Sequence, residues 1–157
     1  MQSVERKNAL PMLGYAFFVD SMGHAITSYQ SLDSCQRILD ERGREYRIVD
    51  VEEQNDLALI HTDVGSRIDP LRFSTRNAIF SGEAVAYPTT LIGGLPSVEF
   101  GFITKAMNSE GQNINVMQYL SETPSVRSGG PVVDEWGDVI GMATRQTTQS
   151  SAINSRP

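Results

Sequence analysis

The sequence predicts an all-β domain, a barrel or a sandwich, on three observations. Short apolar runs recur at regular spacing with Gly, Pro, Asn and Asp between them, the pattern of strands joined by tight turns. Helical periodicity is confined to one weak segment, Ser31–Gly43, with Leu32, Cys35, Ile38 and Leu39 at turn spacing and Gly43 as its stop. The chain is also large enough to enclose a core. It has 157 residues, 39% of them hydrophobic, and a chain of this size buries roughly 68–70% of its unfolded surface.

The elements follow in order. Tyr15–Val19 is an apolar, aromatic run that ends at Asp20-Ser21-Met22-Gly23 and resumes as His24–Ser28. Two such runs around a Gly-bearing turn read as a hairpin. Glu45–Val51 alternates and reads as a strand, and Asp56–Ile60 (DLALI) as a short strand entered through the polar stretch Glu52–Asn55. Asp63–Asn77 is polar and turn-rich, with Gly65 and Pro70, and reads as a connector between two halves. The second half continues with Glu83–Tyr87, a Gly/Pro loop over Pro88–Pro96, then Ser97–Met107, a turn at Asn108–Gly111, and Ile114–Tyr119. It closes with Pro131–Asp134, a turn at Glu135–Asp138, and Val139–Thr144. Residues 1–13 read as an extension, and 146–157, rich in Thr, Gln, Ser and Asn, as a flexible tail.

Charge and cysteine content bound the function. Thirteen basic against 19 acidic residues give −6, which argues against nucleic acid or an anionic membrane surface as a partner. No stretch approaches the roughly 18 apolar residues of a membrane span, and no apolar run follows the charges Glu5, Arg6 and Lys7, so no signal peptide is read. A single cysteine, Cys35, excludes an internal disulfide and reads as a buried small hydrophobe. With only two His to accompany it, no metal site and no cofactor are expected. The acids Asp50, Glu52 and Glu53 read as a solvated turn.

The segment that carries chemistry is Thr123–Pro131 (TPSVRSGGP), centred on Ser128-Gly129-Gly130-Pro131 and backed by Gly137–Gly141 after a tight turn. Upstream lie Gly82–Ala106, with its Gly/Pro loop and Gly-Phe-Ile-Thr strand, the DLALI strand, and the hairpin that ends Ile26-Thr27-Ser28-Tyr29-Gln30. This ordered set, over residues 14–145, resembles the trypsin-like serine proteases, most closely their disulfide-free HtrA-type branch. The resemblance implies a chymotrypsin-like fold: two six-stranded antiparallel β-barrels with shortened loops, about 14–62 and 78–145, and a cleft between them. It places Ser128 on the nucleophile, Asp56 on the acid that orients the base, and Gln30 where the family carries its catalytic histidine.

That departure decides what chemistry is expected. A serine hydroxyl needs an adjacent base to accept its proton. The Gln30 carboxamide can hydrogen-bond but has no useful basicity near neutral pH. Losing one triad member leaves about 10³–10⁴-fold acceleration over water, from the oxyanion hole and binding alone. The oxyanion hole also departs. The resemblance builds it from the N–H groups of Val126 and Ser128, and Val126 stands where the family has Gly, a β-branched residue that resists positive φ. Neither histidine reads as a substitute base. His24 reads as an exposed strand-entry residue, and His61 as pointing to the face of its strand opposite Asp56.

The same resemblance implies a peptide cleft lined by Tyr119 and Thr123, with Gly141, Met142 and Ala143 on an edge that pairs with an extended segment. The leading expectation is therefore a pseudoprotease that binds or assembles around a protein or extended peptide. A serine endopeptidase with an engineered or unusual base, and a structural or capsid-associated subunit, are the alternatives. A disulfide-free chain of this kind suits a cytoplasmic or viral setting.

Overall fold

The computed structural model describes residues 14–33, 35–65, 67–76, 79–90, 95–108, 115–119 and 128–144, with the side chains of 105–108 and 115–119 left out. Within them the chain forms ten strands: β1 (Ala16–Phe18), β2 (His24–Ser28), β3 (Ile38–Leu39), β4 (Glu45–Glu52), β5 (Leu57–His61), β6 (Ala84–Thr90), β7 (Pro96–Asn108), β8 (Asn115–Tyr119), β9 (Pro131–Val133) and β10 (Val139–Met142). They divide into two five-stranded sheets, ordered β1-β2-β5-β4-β3 and β10-β9-β6-β7-β8, and every strand pairing is antiparallel. This is the chymotrypsin-like double-barrel arrangement.

Each half is built by local signals. The β1–β2 hairpin turns at Asp20–Gly23. The Asp20 carboxylate accepts the Met22 N–H at 2.8 Å and the His24 N–H at 3.1 Å, and Gly23 takes φ +99. An added Cβ at Gly23 would strike the Thr62 carbonyl, so the turn requires glycine there. In the second half, Asp134 makes the corresponding turn. Its Oδ1 accepts the Trp136 and Asp138 N–H groups, each at 3.0 Å, and joins β9 to β10 through Gly137 at φ +82.

Five strands per sheet, rather than six, are named among the described residues, and the connector supplies the missing contacts. The Ile68 and Leu71 N–H groups donate to the carbonyls of Ser21 in the hairpin turn and Phe18 on β1, at 3.4 and 3.3 Å. A few residues later the Val139 N–H donates to Arg72 O (2.7 Å) and the Ser74 N–H to Val139 O (2.9 Å), a parallel bridge onto β10. The connector thus runs along the β1 end of one sheet and then the β10 end of the other.

Three expectations need correction. Ser31–Gly43 is not helical: a 3₁₀ turn covers Gln30–Leu32 and β3 follows. Four apolar positions over 13 residues are too few to hold an α-helix against strand pairing with β4. The DLALI strand begins at Leu57, because Asp56 sits in the left-handed region (φ 57, ψ 40) at the end of a second 3₁₀ turn, Glu53–Asn55. The loop expected from Pro88 starts later, since β6 runs through Pro88 to Thr90. Beyond Ala86 that strand has no β9 partner, and proline is tolerated where a strand behaves as an edge. Cys35 is half-buried, its thiol near the Ser31 carbonyl. The extension 1–13 and the tail 146–157 lie outside the described residues.

The second sheet carries the apolar core. Val85, Tyr87, Ile103, Val132 and Ala143 are buried together, with Ile79 and Ile140 against them. The first sheet is thinner, with Phe17, Ala25, Ala58 and Ile60 buried while Ile48, Val49 and Val51 on β4 stay exposed.

Candidate active site

The acid and base positions are assembled where β2 ends and β5 begins. Ser28 pairs with Leu57 across the strands, so the chain leaving β2 and the chain entering β5 lie side by side. Asp56 faces this junction and holds it with three hydrogen bonds. Its Oδ1 accepts the Gln30 N–H at 2.7 Å, its Oδ2 accepts the Ser28 hydroxyl at 2.5 Å, and its carbonyl accepts the Tyr29 N–H at 3.1 Å. Ser28 is completely buried, so the carboxylate satisfies a hydroxyl that would otherwise be stranded. Among the described residues Asp56 is the one non-glycine residue with positive φ. That conformation costs on the order of 1–2 kcal/mol for an L-residue, and Asp is among the types that tolerate it. The three bonds keep it there.

Gln30 opens the 3₁₀ turn and its side chain is exposed. The backbone therefore presents position 30 to the Asp56 carboxylate, but the group presented is a carboxamide. The structure brings the Gln30 N–H to Asp56, and sequence reasoning missed Ser28. A signal for it was present: Thr27 and Ser28 are both buried, which breaks the alternation kept from His24 to Thr27. Two consecutive small hydroxyl residues at a strand end mark where the strand turns into the junction.

The Ser128 loop leads into the second sheet but is fixed against the first. The Tyr15 N–H donates to Ser128 O at 2.9 Å, and the Thr27 hydroxyl donates to Tyr15 O at 2.6 Å. On the other side, the Gly129 N–H donates to Ala143 O at 2.7 Å and the Ala143 N–H to Gly130 O at 2.8 Å. Gly129 takes φ +95, and an added Cβ would overlap the Tyr15 carbonyl and lie 2.7 Å from the Thr27 hydroxyl. An added Cβ at Gly130 would lie 2.9 Å from Pro88. Both glycines are required by close packing, and the Ser-Gly-Gly segment is wedged between Tyr15 and Ala143. Ser128 itself is only 6% exposed.

The histidines sit elsewhere. His24 and His61 are directly paired across β2 and β5, their ring centroids 4.5 Å apart. That pair is at the opposite end of the strands from the Ser28–Leu57 pair, on the order of 13 Å away at about 3.3 Å per residue. His24 is not an exposed strand-entry residue: it is half-buried, its Nδ1 2.6 Å from Asp20 Oδ2. The His61 Nε2 is 3.1 Å from Met22 O. The parity argument for His61 fails in its premise, since Asp56 is not a strand residue, but His61 still stands at the far end. No group of three or more His, Cys, Asp or Glu among the described residues is arranged to hold a metal.

Of the cleft residues, Gly141 and Met142 lie on β10, at an end of the second sheet, paired inward to Val132 and Pro131. Ala143 is buried and its N–H and C=O are both committed to the glycine pair. Tyr119 ends β8, and its side chain is outside the described part. Thr123 and Val126 lie outside the described residues, and with Val126 the oxyanion-hole geometry.

The comparisons agree with this architecture. The model of the trypsin-like peptidase domain family matches residues 14–142. The chain is 31% identical over 94% of its length to the uncharacterized protein y4bJ of Sinorhizobium fredii, covering 24% of that protein. It is 26% identical over 96% of its length to the chloroplastic Protease Do-like 5 of Arabidopsis thaliana, covering 54% of it. The chain thus spans about a quarter to a half of the length of these relatives. Among solved structures it is similar in fold to Deg5 (TM-score 0.67, 22% identity, 83% of this chain and 73% of that one). It is likewise similar to the MamO protease domain of Magnetospirillum magneticum (TM-score 0.62, 17% identity, 90% and 87%). Double-barrel topology, a Ser-Gly-Gly loop packed against the first hairpin, and a family match across nearly all of the described residues converge: the chain belongs to the trypsin-like peptidase family, in its HtrA-type branch.

Proposed function

We propose that this domain keeps the peptidase fold as a binding or assembly module and does not turn over peptide bonds. The observation that carries this reading is the acid–base junction. Position 30 is held by its N–H on the Asp56 carboxylate, where a base would receive the serine proton, and it carries a glutamine. Without that base the Ser128 hydroxyl stays protonated and weakly nucleophilic. Both histidines are engaged at the far end of β2 and β5. The low exposure of Ser128 points the same way. Binding is supported by β10, an end strand bearing Gly141 and Met142, where an extended segment can add by main-chain hydrogen bonds alone.

A fluorophosphonate probe tests the chemical half. The expected result is no adduct on Ser128; stoichiometric labelling of the unchanged chain overturns the reading. The binding half is tested by passing unstructured decapeptides over immobilised protein and weighing what is retained. Intact peptides support a binding module, and cleaved ones refute it. A serine endopeptidase is the second reading, favoured by the preserved Ser-Gly-Gly packing. It predicts cleavage with Gln30 in place.

A further inference from the structure

β4 leaves much of one edge unpaired. β3 meets it only at Glu45 and Tyr46, and among the described residues no strand lies beside Arg47–Glu52 on that side. Pairing with β5 sets the faces. Cross-strand partners lie on the same face of a sheet. Ile48 and Val51 therefore share a face with Ile60 and Ala58, while Arg47, Asp50 and Glu52 share the other with His61, Leu59 and Leu57. Ile60 and Ala58 are buried core residues, yet Ile48 and Val51, on the same face, are 48% and 39% exposed. The inner face of the first sheet is thus uncovered where its edge is also open, and one added strand would satisfy both. The opposite face is acidic there. Asp50, Glu52 and the adjoining Glu53 take part in no ion pair among the described residues, and Arg47 is the one cation on this stretch.

From this we infer that the Arg47–Glu52 edge is a docking site for an extended segment of another protein, with apolar residues at alternate positions and Lys or Arg between them. An open edge offers free N–H and C=O groups, which an added strand takes up whatever its side chains. Side-chain parity then selects. Val49 is the extra residue of a bulge, so apolar and acidic positions alternate along β4 as Ile48, Asp50, Val51 and Glu52. Residues beside Ile48 and Val51 gain by being apolar. Those beside Asp50 and Glu52 are attracted if basic and repelled if acidic. The same acids disfavour a second copy. Two β4 edges would bring acids to acids on chains that already carry −6 each, and charged side chains are a common means of keeping edges from pairing with themselves. The site lies on the first sheet, apart from β10, and does not depend on whether Ser128 reacts.

Fluorescence anisotropy of the full chain with a labelled peptide of alternating Val and Lys, about ten residues long, tests the inference. Saturable binding is expected, weakening as salt is raised. An alternating Val–Glu peptide should bind at least about 10-fold more weakly, and so should a Gly–Lys peptide of equal charge, which brings no apolar face. Reversing both acids, Asp50→Lys with Glu52→Lys, should exchange the preference between the Val–Lys and Val–Glu peptides. Circular dichroism checks folding; should the double variant unfold, Ile48→Ser serves in its place and has to weaken the Val–Lys complex by about 5-fold. Amide hydrogen exchange locates the peptide: exchange should slow over 47–52 and stay unchanged over 139–142. No binding of the Val–Lys peptide, equal binding of Gly–Lys, or slowing at 139–142 instead overturns the inference. So does an edge already covered in the peptide-free chain. Amides slow throughout 47–52 at every concentration would mean that another part of this chain lies there, and amides slow only at high concentration would mean a second copy.

Discussion

The two halves of the candidate active site are held by different kinds of constraint. The serine loop is held by space as well as by backbone hydrogen bonds: Gly129 and Gly130 are packed so tightly against Tyr15 and Pro88 that a methyl group does not fit. The acid–base corner is fixed by hydrogen bonds: Ser28, Tyr29 and Gln30 converge on Asp56. Backbone N–H groups supply two of those three bonds, so the corner survives a change of side chain at position 30. The serine loop has no such tolerance. The corner can therefore carry different side chains at position 30 without disturbing its scaffold.

The sharpest way to break the comparison is at Gly129. Gly129→Ala should destabilise by about 4 kcal/mol or abolish folding, since it adds overlap with Tyr15 to an unfavourable φ. Urea unfolding measures it, with Gly137→Ala as the control. Gly137 has similar φ but open space around it, so its cost should be only about 1 kcal/mol. Next in size is Asp56→Ala, which strands the buried Ser28 hydroxyl and frees the Gln30 N–H, at about 2–4 kcal/mol. Asp56→Asn should cost less, about 1–2 kcal/mol, because Asn accepts one bond and tolerates the left-handed conformation.

Gln30→His sharpens the comparison from the other side. It should change stability by no more than about 0.5 kcal/mol, as an exposed substitution. If the scaffold alone has been preserved, it should also permit fluorophosphonate labelling of Ser128 that the unchanged chain lacks. The smallest effect lies away from the site. Arg76 donates two hydrogen bonds of 2.9 Å to Glu83, and its guanidinium holds that carboxyl below the usual carboxylate range. A depressed folded-state pKa contributes stability above the ordinary carboxylate value, and this is lost as pH falls through the folded one. The melting temperature of the unchanged chain should fall slightly more than that of Glu83→Gln between neutral pH and ~pH 3.

Much of the fold was legible because alternation and turn chemistry are local. The runs His24–Ser28 and Asp56–Ile60 announced strands, the second displaced by one residue from Leu57–His61, and Asp20–Gly23 and Glu135–Asp138 announced turns. The resemblance put Ser128, Asp56 and Gln30 forward as motifs in order, and the geometry joins Gln30 to Asp56 through a backbone N–H. What stayed hidden was non-local. Nothing adjacent to Asp56 in sequence states that Ser28 will donate to it, or that three bonds will hold it at positive φ. Ser31–Gly43 looked helical because spacing ignores the pull of β4 on Ile38 and Leu39. The open edge of β4 was hidden by the same limit, since alternation assigns residues to faces and does not say which face is covered.

Tyr15 bears on how the cleft comes into being. Its N–H and C=O join Ser128 and Thr27, so a residue near the start of the described chain clasps one near its end. During synthesis the first hairpin emerges long before the segment it must grip. The serine loop can settle only after β9 and β10 have formed, and closing so long a loop is slow. The cleft should thus be the last part to assemble and among the first to open, so that amide hydrogen exchange at Tyr15 and Gly129 reports the same opening event.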